Sequence, residues 1–96
     1  MTYLELVKTT LTQLKPDLSS RYGVDTLGLF GSIVRDDFME KSDIDIVVTF
    51  SRPIGIEFVT LAEELEDKLQ RKVDLVSRNG IRPHYLTVID PEIVYV

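Results

Sequence analysis

The stretch Gly28–Val48, with the sequence GLFGSIVRDDFMEKSDIDIVV, decides the fold. An apolar segment ends at Gly31-Ser32, and ten residues later Asp43-Ile44-Asp45 leads directly into β-branched residues. The alternation over Ile44–Phe50 predicts a strand with one buried face. Aspartate is depleted in strands, so two carboxylates one residue apart at the head of this strand raise the question of what they are for.

Helical and strand patterns alternate along the rest of the chain. Thr2 begins a capping box, and apolar residues at helical spacing predict a first helix that Pro16 ends or kinks near Leu14 and that Gly23 stops. The other predicted elements are a strand over Thr26–Phe30, a short helix over about Ile33–Phe38, an amphipathic helix over about Phe58–Leu69, a strand over Val73–Ser77, a short helix after Pro83 and a last strand over Glu92–Val96. This order predicts an α/β (α+β) fold with helices packed on a small mixed sheet.

Length and composition narrow the function classes. A chain of 96 residues predicts one domain, residues 1–96. The absence of cysteine excludes disulfides and Cys-based metal sites and fits a cytoplasmic protein. The chain contains no apolar stretch long enough to cross a membrane and no secretory signal, so we expect no membrane partner. A net charge of −5 argues against direct nucleic-acid binding and favours a basic protein partner or a site for divalent cations.

The paired carboxylates suit a hard cation. Asp43 and Asp45 share a face if the strand begins by Asp43, with α-carbons about 6.5 Å apart. Two like charges at that distance raise each other's pKa unless a positive charge intervenes. Mg²⁺ is the natural candidate, because it takes one or two carboxylates and completes its octahedron with water and phosphate oxygens.

Asp74 is a further aspartate within an apolar strand, the predicted strand Val73–Ser77. If this strand pairs beside Ile44–Phe50, Asp74 lies on the same face as Asp45, and three carboxylates permit a site for two metal ions. Other interpretations stay open at this point. Asp43 can cap a turn, Asp45 can be an exposed strand residue, and Asp74 can be a charge that protects an edge strand from aggregation.

Gly31-Ser32 fits an anion site at a strand-to-helix turn. The glycine lets backbone amides approach a phosphate closely, and the serine hydroxyl can donate to a phosphate oxygen. A plain turn with a serine N-cap remains the alternative. The chain has neither a P-loop nor a dinucleotide-binding glycine motif. His84 is its only histidine and is interpreted as a surface residue.

Taken together, Gly31-Ser32, the ten intervening residues, Asp43-Ile44-Asp45 and the later Asp74 resemble the signature of the polymerase-β-like nucleotidyltransferase superfamily. The short length and the segments FGSIVR and SDIDIVV are similar to the minimal nucleotidyltransferases, antitoxins that are paired with HEPN-domain toxins. The resemblance implies a polymerase-β-like nucleotidyltransferase core. It also implies transfer of AMP from ATP to a tyrosine of a HEPN ribonuclease, within a hetero-oligomer of the two proteins.

The resemblance also implies residue roles. Triphosphate binding falls to Gly31, Ser32 and Arg35, and Mg²⁺ binding, with room for two ions, to Asp43, Asp45 and Asp74. Asp74 would also help to activate the acceptor hydroxyl. One departure is visible: family members often have glycine after the arginine, whereas this chain has Asp36-Asp37. These two acids either weaken ATP binding or face the solvent.

Two other functions are compatible with the sequence. A degenerate antitoxin would neutralise its partner by binding alone, and the intact set of carboxylates counts against it. Transfer of a nucleotide to a small molecule or to RNA is disfavoured by the acidic charge and the lack of an additional substrate domain. Arg78 and Arg82 follow the strand of Asp74, and we predict that one of them contacts the triphosphate or the partner.

Overall fold

The computed structural model describes residues 1–96 and contains four helices and four strands in alternating order. The helices are α1 (Tyr3–Tyr22), α2 (Ser32–Arg35), α3 (Glu57–Leu69) and α4 (Pro83–Ile89). The strands are β1 (Val24–Phe30), β2 (Ile44–Phe50), β3 (Val73–Ser77) and β4 (Val94–Tyr95). Two 3₁₀ turns, Arg78–Gly80 and Asp90–Glu92, flank α4. No helix combines the length and apolar character needed to cross a membrane.

The four strands form one mixed sheet in the order β3-β2-β1-β4. β1 is antiparallel to both of its neighbours, whereas β2 and β3 run parallel, joined through α3. β2 therefore lies inside the sheet and β3 at one edge. The predicted mixed sheet with packed helices is confirmed.

The core forms where α1 and α3 pack against one face of the sheet and against each other. Alternate residues of β2 enter this core because strand side chains alternate between faces. Ile44, Ile46 and Val48 are fully buried there, so the residues between them, Asp45 among them, lie on the opposite face. Packing on one face thus fixes which side of the sheet carries the carboxylate.

α1 is one helix through Pro16, so Pro16 does not end it near Leu14. The alternative, a kink at Pro16, stays a prediction. The helix continues because Leu18 and Tyr22, beyond the proline, are buried on the same face as Val7 and Leu11. This packing outweighs the one helical hydrogen bond that a proline removes. The two ends follow the prediction: the Thr2 hydroxyl accepts from the Glu5 N–H at 3.1 Å, and Gly23 ends the helix in the left-handed conformation.

The short helix after Gly31 is shorter than predicted. α2 ends at Arg35 because Asp36 adopts a left-handed conformation with φ 73°, and the predicted extension to Phe38 does not form. Phe38 instead stacks on the Tyr3 ring at 5.3 Å, and the Arg71 guanidinium lies 4.6 Å from the Phe38 ring centroid. The apolar character of Phe38 therefore reflects contacts in the loop before β2.

The other boundaries differ by a few residues or match. β2 and β3 have the predicted bounds. β1 begins two residues earlier than predicted, at Val24, and β4 is shorter than the predicted Glu92–Val96. β4 cannot begin at Glu92, because that residue still belongs to the 3₁₀ turn Asp90–Glu92.

Candidate active site

Asp45 and Asp74 are direct neighbours across the parallel strands β2 and β3. Each is the second residue of its strand, and paired residues of adjacent strands direct their side chains to the same face. The negative charge of Asp74 acts on Asp45 and raises the pKa of Asp45. The prediction that Asp74 shares the face of Asp45 is therefore confirmed by the strand register.

Asp43 lies one residue before β2, since the strand begins at Ile44. The condition under which Asp43 and Asp45 share a strand face, a strand that begins by Asp43, is therefore not met, although the Asp43 charge still acts on Asp45. The preceding turn is closed by Ser42, whose hydroxyl accepts from the Met39 N–H at 2.9 Å. Asp43 is exposed and joins the pair of carboxylates from the side of this turn.

The pKa of Asp45 is raised to about 6. Partial burial is the largest cause, followed by the negative charges of Asp74 and Asp43. Only the guanidinium of Arg35 acts in the opposite direction. A bound cation would relieve this repulsion, so the site is electrostatically prepared for positive charge.

Gly31 occupies a position that only glycine can fill. Its φ is 78°, in the region that favours glycine, and an added Cβ would lie 2.1 Å from the Oδ2 atom of Asp45. The backbone at the end of β1 therefore passes directly against the Asp45 carboxylate. This close approach brings the Gly31-Ser32 segment to the carboxylates.

Ser32 and Arg35 are the first and last residues of α2, beside the carboxylates. The Arg35 guanidinium is 53% exposed and donates from Nη1 to Glu92 Oε1 at 3.3 Å. Its Nε lies 3.8 Å from Asp37 Oδ1. The structure thus relates Gly31, Arg35, Asp43 and Asp74 each to Asp45, and Ser32 follows directly after Gly31.

The model of the nucleotidyltransferase domain family matches residues 11–94 of the chain. The chain belongs to this nucleotidyltransferase family. The resemblance drawn from the sequence motifs, and the expectation of an enzyme, are thereby confirmed.

Individual relatives of this nucleotidyltransferase agree with the family match. The protein adenylyltransferase MntA of Thermococcus cleftensis is 39% identical over 97 residues, which cover 100% of this chain and 98% of that protein. A solved minimal nucleotidyltransferase structure is 28% identical with a TM-score of 0.81, and the match covers 97% of this chain and 95% of that one. These similarities extend over nearly the whole chain.

The same fold occurs in a toxin–antitoxin complex. The structure of a tri-AMPylated Shewanella oneidensis HEPN toxin with its MNT antitoxin contains a chain that matches with a TM-score of 0.70 and 22% identity. The match covers 96% of this nucleotidyltransferase and 70% of that chain. At this identity the likeness shows a shared fold.

The donor set of the nucleotidyltransferase site fits Mg²⁺. Carboxylate oxygens are the ligands that this ion prefers, and Asp45 and Asp74 supply them side by side. No group of three His, Cys, Asp or Glu side chains is already gathered into a metal cage. Mg²⁺ commonly binds through one or two carboxylates and keeps its other positions for water and phosphate, so the open pair suits it.

Arg78 and Glu92 make contacts that the sequence did not indicate, whereas the contact expected of Arg82 stays a prediction. Arg78 donates to both carboxylate oxygens of Asp90, at 2.7 and 2.8 Å, so its predicted contact with triphosphate or partner would require breaking this pair. Arg82 is exposed at the start of α4. Glu92 was predicted only as a strand residue, yet it contacts Gly31 and Arg35. No sequence spacing signals this contact, which joins residues 61 and 57 positions apart.

Proposed function

We propose that this nucleotidyltransferase uses Mg²⁺ and ATP to transfer AMP to a tyrosine of a cognate HEPN ribonuclease toxin, and that it acts as the antitoxin through this transfer. The observation that carries the proposal is the in-register pair Asp45 and Asp74, packed against the Gly31 backbone. The relative with 39% identity is a protein adenylyltransferase. We also propose that residues 1–96 act as one domain in a cytoplasmic hetero-oligomer with the toxin.

The proposed division of roles follows the positions of the side chains. Asp43, Asp45 and Asp74 hold one or two Mg²⁺ ions. Gly31 leaves the space for the triphosphate, and the Ser32 hydroxyl, the Ser32 backbone N–H and Arg35 bind it. Bound Mg²⁺ supplies positive charge against the triphosphate and lowers the pKa of the attacking hydroxyl. A triphosphate carries several negative charges, and Arg35 is the only cation acting on Asp45. The nucleotide and the divalent cation are therefore expected to bind together.

The protein itself contributes positioning and a proton acceptor. The tyrosine oxygen attacks the α-phosphorus of ATP. The new O–P bond forms as the bond from the α-phosphorus to the oxygen bridging to the β-phosphate breaks, and pyrophosphate leaves. Asp74 accepts the phenolic proton, because it is exposed to an incoming tyrosine whereas Asp45 is partly buried. Such transfer needs little covalent help from protein beyond an in-line approach and charge neutralisation.

A second candidate, neutralisation of the toxin by binding alone, is favoured by α4. This helix has no buried residue, and it exposes 58% of Tyr85 and 71% of Val88. Exposed apolar side chains on one short helix are typical of a surface that binds another protein. The two functions are compatible, because a transferase for a protein substrate must also bind that substrate.

Labelled ATP distinguishes the candidates. With purified HEPN protein and Mg²⁺, [α-³²P]ATP should label the toxin at tyrosine and [γ-³²P]ATP should not. EDTA should abolish the labelling and added Mg²⁺ should restore it. Labelling from the γ-position would replace the proposal with phosphoryl transfer. A stable complex without labelling from either position would leave the binding-only function.

A further inference from the structure

One oxygen of Glu92 accepts hydrogen bonds from two groups of the proposed triphosphate site. The Gly31 N–H donates to Glu92 Oε1 at 3.0 Å, and Arg35 Nη1 donates to the same oxygen at 3.3 Å. The Glu92 side chain is only 24% exposed. This carboxylate therefore joins the C-terminal segment to both ends of the short helix α2.

The position of Glu92 follows from the register of β4. Leu29 of β1 is paired with Val94, and continuing this antiparallel register by two residues sets Gly31 opposite Glu92. At that point the main chain has left the sheet for the turn Asp90–Glu92. Where a main-chain carbonyl of β4 would otherwise accept, the Glu92 side chain accepts from the Gly31 N–H, the first N–H after β1.

Glu92 is held from both sides. Asp90, two residues earlier, receives the two-pronged hydrogen bond from Arg78. Ile93, the next residue, packs directly over Gly28, where an added Cβ would lie 2.6 Å from its Cγ2 atom. These contacts hold the main chain on both sides of Glu92. We therefore expect its carboxylate to stay in place when an anion binds.

Two sides of Gly31 serve different neighbours. Its N–H points across the sheet edge to Glu92, whereas the position that a Cβ would take faces the Asp45 carboxylate. A phosphate approaching Ser32 from the Asp45 side therefore leaves the hydrogen bond between Gly31 and Glu92 intact.

We propose that Glu92 is a positioning residue for nucleotidyl transfer. Its carboxylate fixes the Gly31 peptide at its positive φ and holds the Arg35 guanidinium beside the carboxylate pair, so that Ser32 and Arg35 meet the triphosphate already in place. This inference rests on the proposed function, since it assigns Glu92 to the nucleotide site described there. It predicts that Glu92 acts on nucleotide binding through Gly31 and Arg35.

The test measures the Kd for Mg²⁺ with a non-hydrolysable ATP analogue by calorimetry, beside the KM for ATP, kcat and the Tm. The variants are Glu92→Ala, Glu92→Asp and Glu92→Gln, with Glu63→Ala, an exposed residue of α3, as the matched control. Glu92→Ala and Glu92→Asp should raise Kd and KM about tenfold, because misplaced binding groups lose affinity. Glu92→Gln keeps an acceptor oxygen at the same distance and should remain within about threefold of the wild type.

A double-mutant cycle between Glu92 and Arg35 supplies a second measurement. In the Arg35→Ala background, Glu92→Ala should raise Kd less than it does in the wild type, since part of its effect passes through Arg35. An unchanged or tighter Kd in Glu92→Ala would overturn the positioning role. If the alanine variant does not fold, the same result in Glu92→Asp would overturn it. Tighter binding in both Glu92→Ala and Glu92→Gln would identify the carboxylate as a competitor of the triphosphate. Wild-type protein that binds no nucleotide would overturn the proposed function itself, and this inference with it.

Discussion

A Cβ atom at position 31 would lie 2.1 Å from the Oδ2 atom of Asp45, so the Asp45 carboxylate occupies the space that any side chain at position 31 would need. The two residues are 14 positions apart in the sequence and belong to different parts of the motif. Their contact explains why the motif needs both: Gly31 leaves the room in which Asp45 can stand at the end of β1. The two parts of the sequence motif are therefore packed against each other in the fold.

This contact predicts that Gly31→Ala and Asp45→Ala are coupled. Gly31→Ala should lower the free energy of unfolding by about 2 kcal/mol or more, through the positive φ and the clash. In the Asp45→Ala background the clash is removed and only the backbone cost remains, so the loss should be smaller by at least about 1 kcal/mol. Urea unfolding of the four proteins measures the coupling. Strictly additive losses would show that the two residues do not meet.

The raised pKa of Asp45 predicts that this residue destabilises the folded protein at neutral pH. In the folded protein its pKa is about 6, against an ordinary value of 3.8 for aspartate, so between these values the folded state binds more protons than the unfolded state. The contribution of Asp45 to stability is therefore present at low pH and is lost as the pH rises towards 6. Asp45→Asn should be more stable than the wild type at pH 7 by about 1 kcal/mol, because partial exposure reduces the full effect.

The measurement is the difference in unfolding free energy between wild type and Asp45→Asn from pH 4.5 to 7.5 without metal. This difference should grow as the pH rises and level off above about pH 7, since deprotonation is then complete. Added Mg²⁺ should raise the Tm of the wild type and have little effect on the variant. A difference that does not depend on pH would contradict the repulsion described for the carboxylates.

Asp36 offers a separate test of conformation and charge. It ends α2 with φ 73°, the conformation in which glycine is favoured, at the position where related proteins are expected to have glycine. Asp36→Gly should raise the free energy of unfolding by about 0.5 kcal/mol, since the relief of strain exceeds the entropy cost of glycine. Asp36→Asn tolerates the same φ and should leave stability nearly unchanged.

Both Asp36 variants remove one negative charge next to Arg35, and both should lower the KM for ATP with Mg²⁺ at low ionic strength. The effect should diminish as salt is added, because exposed charges are screened. A lower KM in Asp36→Gly alone would assign the effect to the backbone. Equal KM values in all three proteins would show that Asp36 simply faces the solvent.

Arg71 fastens the loop that leads to Asp43. Its Nη2 donates to the carbonyl oxygens of Met39 and Glu40, both at 2.6 Å, and its guanidinium lies over the Phe38 ring. Arg71→Lys keeps the charge but loses the planar fork and should lower kcat/KM by about tenfold, through misplacement of Asp43. Lys72→Ala, an exposed neighbour, is the matched control. A loss of kcat/KM in Lys72→Ala as large as that in Arg71→Lys would contradict a specific role of the Arg71 fork.

The sequence was most informative where the local pattern and the tertiary structure agree. β2 and β3 matched their predicted bounds, because alternating β-branched residues indicate a strand and its buried face together. The shared face of Asp45 and Asp74 followed as soon as these strands were taken as neighbours. The same local patterns placed the end of α2 too late, because the φ angle of Asp36 decides it. They also allowed Pro16 to end α1, which the packing of the residues beyond it prevents.

Contacts between distant segments could not be predicted in this way. Glu92 meets Gly31 only because β4 pairs with β1, and no local pattern encodes that pairing. Arg78 is a second example. Its charge and position led to the prediction that it binds the triphosphate or the partner, and only the fold shows that Asp90 lies beside it. The groups proposed to do the chemistry were thus predictable from the motif, whereas those that support them required the tertiary structure.

The most direct test of the central claim is the intact mass of a cognate HEPN-domain protein co-expressed with this nucleotidyltransferase or with its Asp43→Asn/Asp45→Asn variant. We expect the HEPN protein to gain mass in whole AMP units beside the wild type and to gain none beside the variant, while both pairs co-purify. An unchanged mass beside the wild type, with the two proteins still bound to each other, would contradict adenylyl transfer and leave neutralisation by binding.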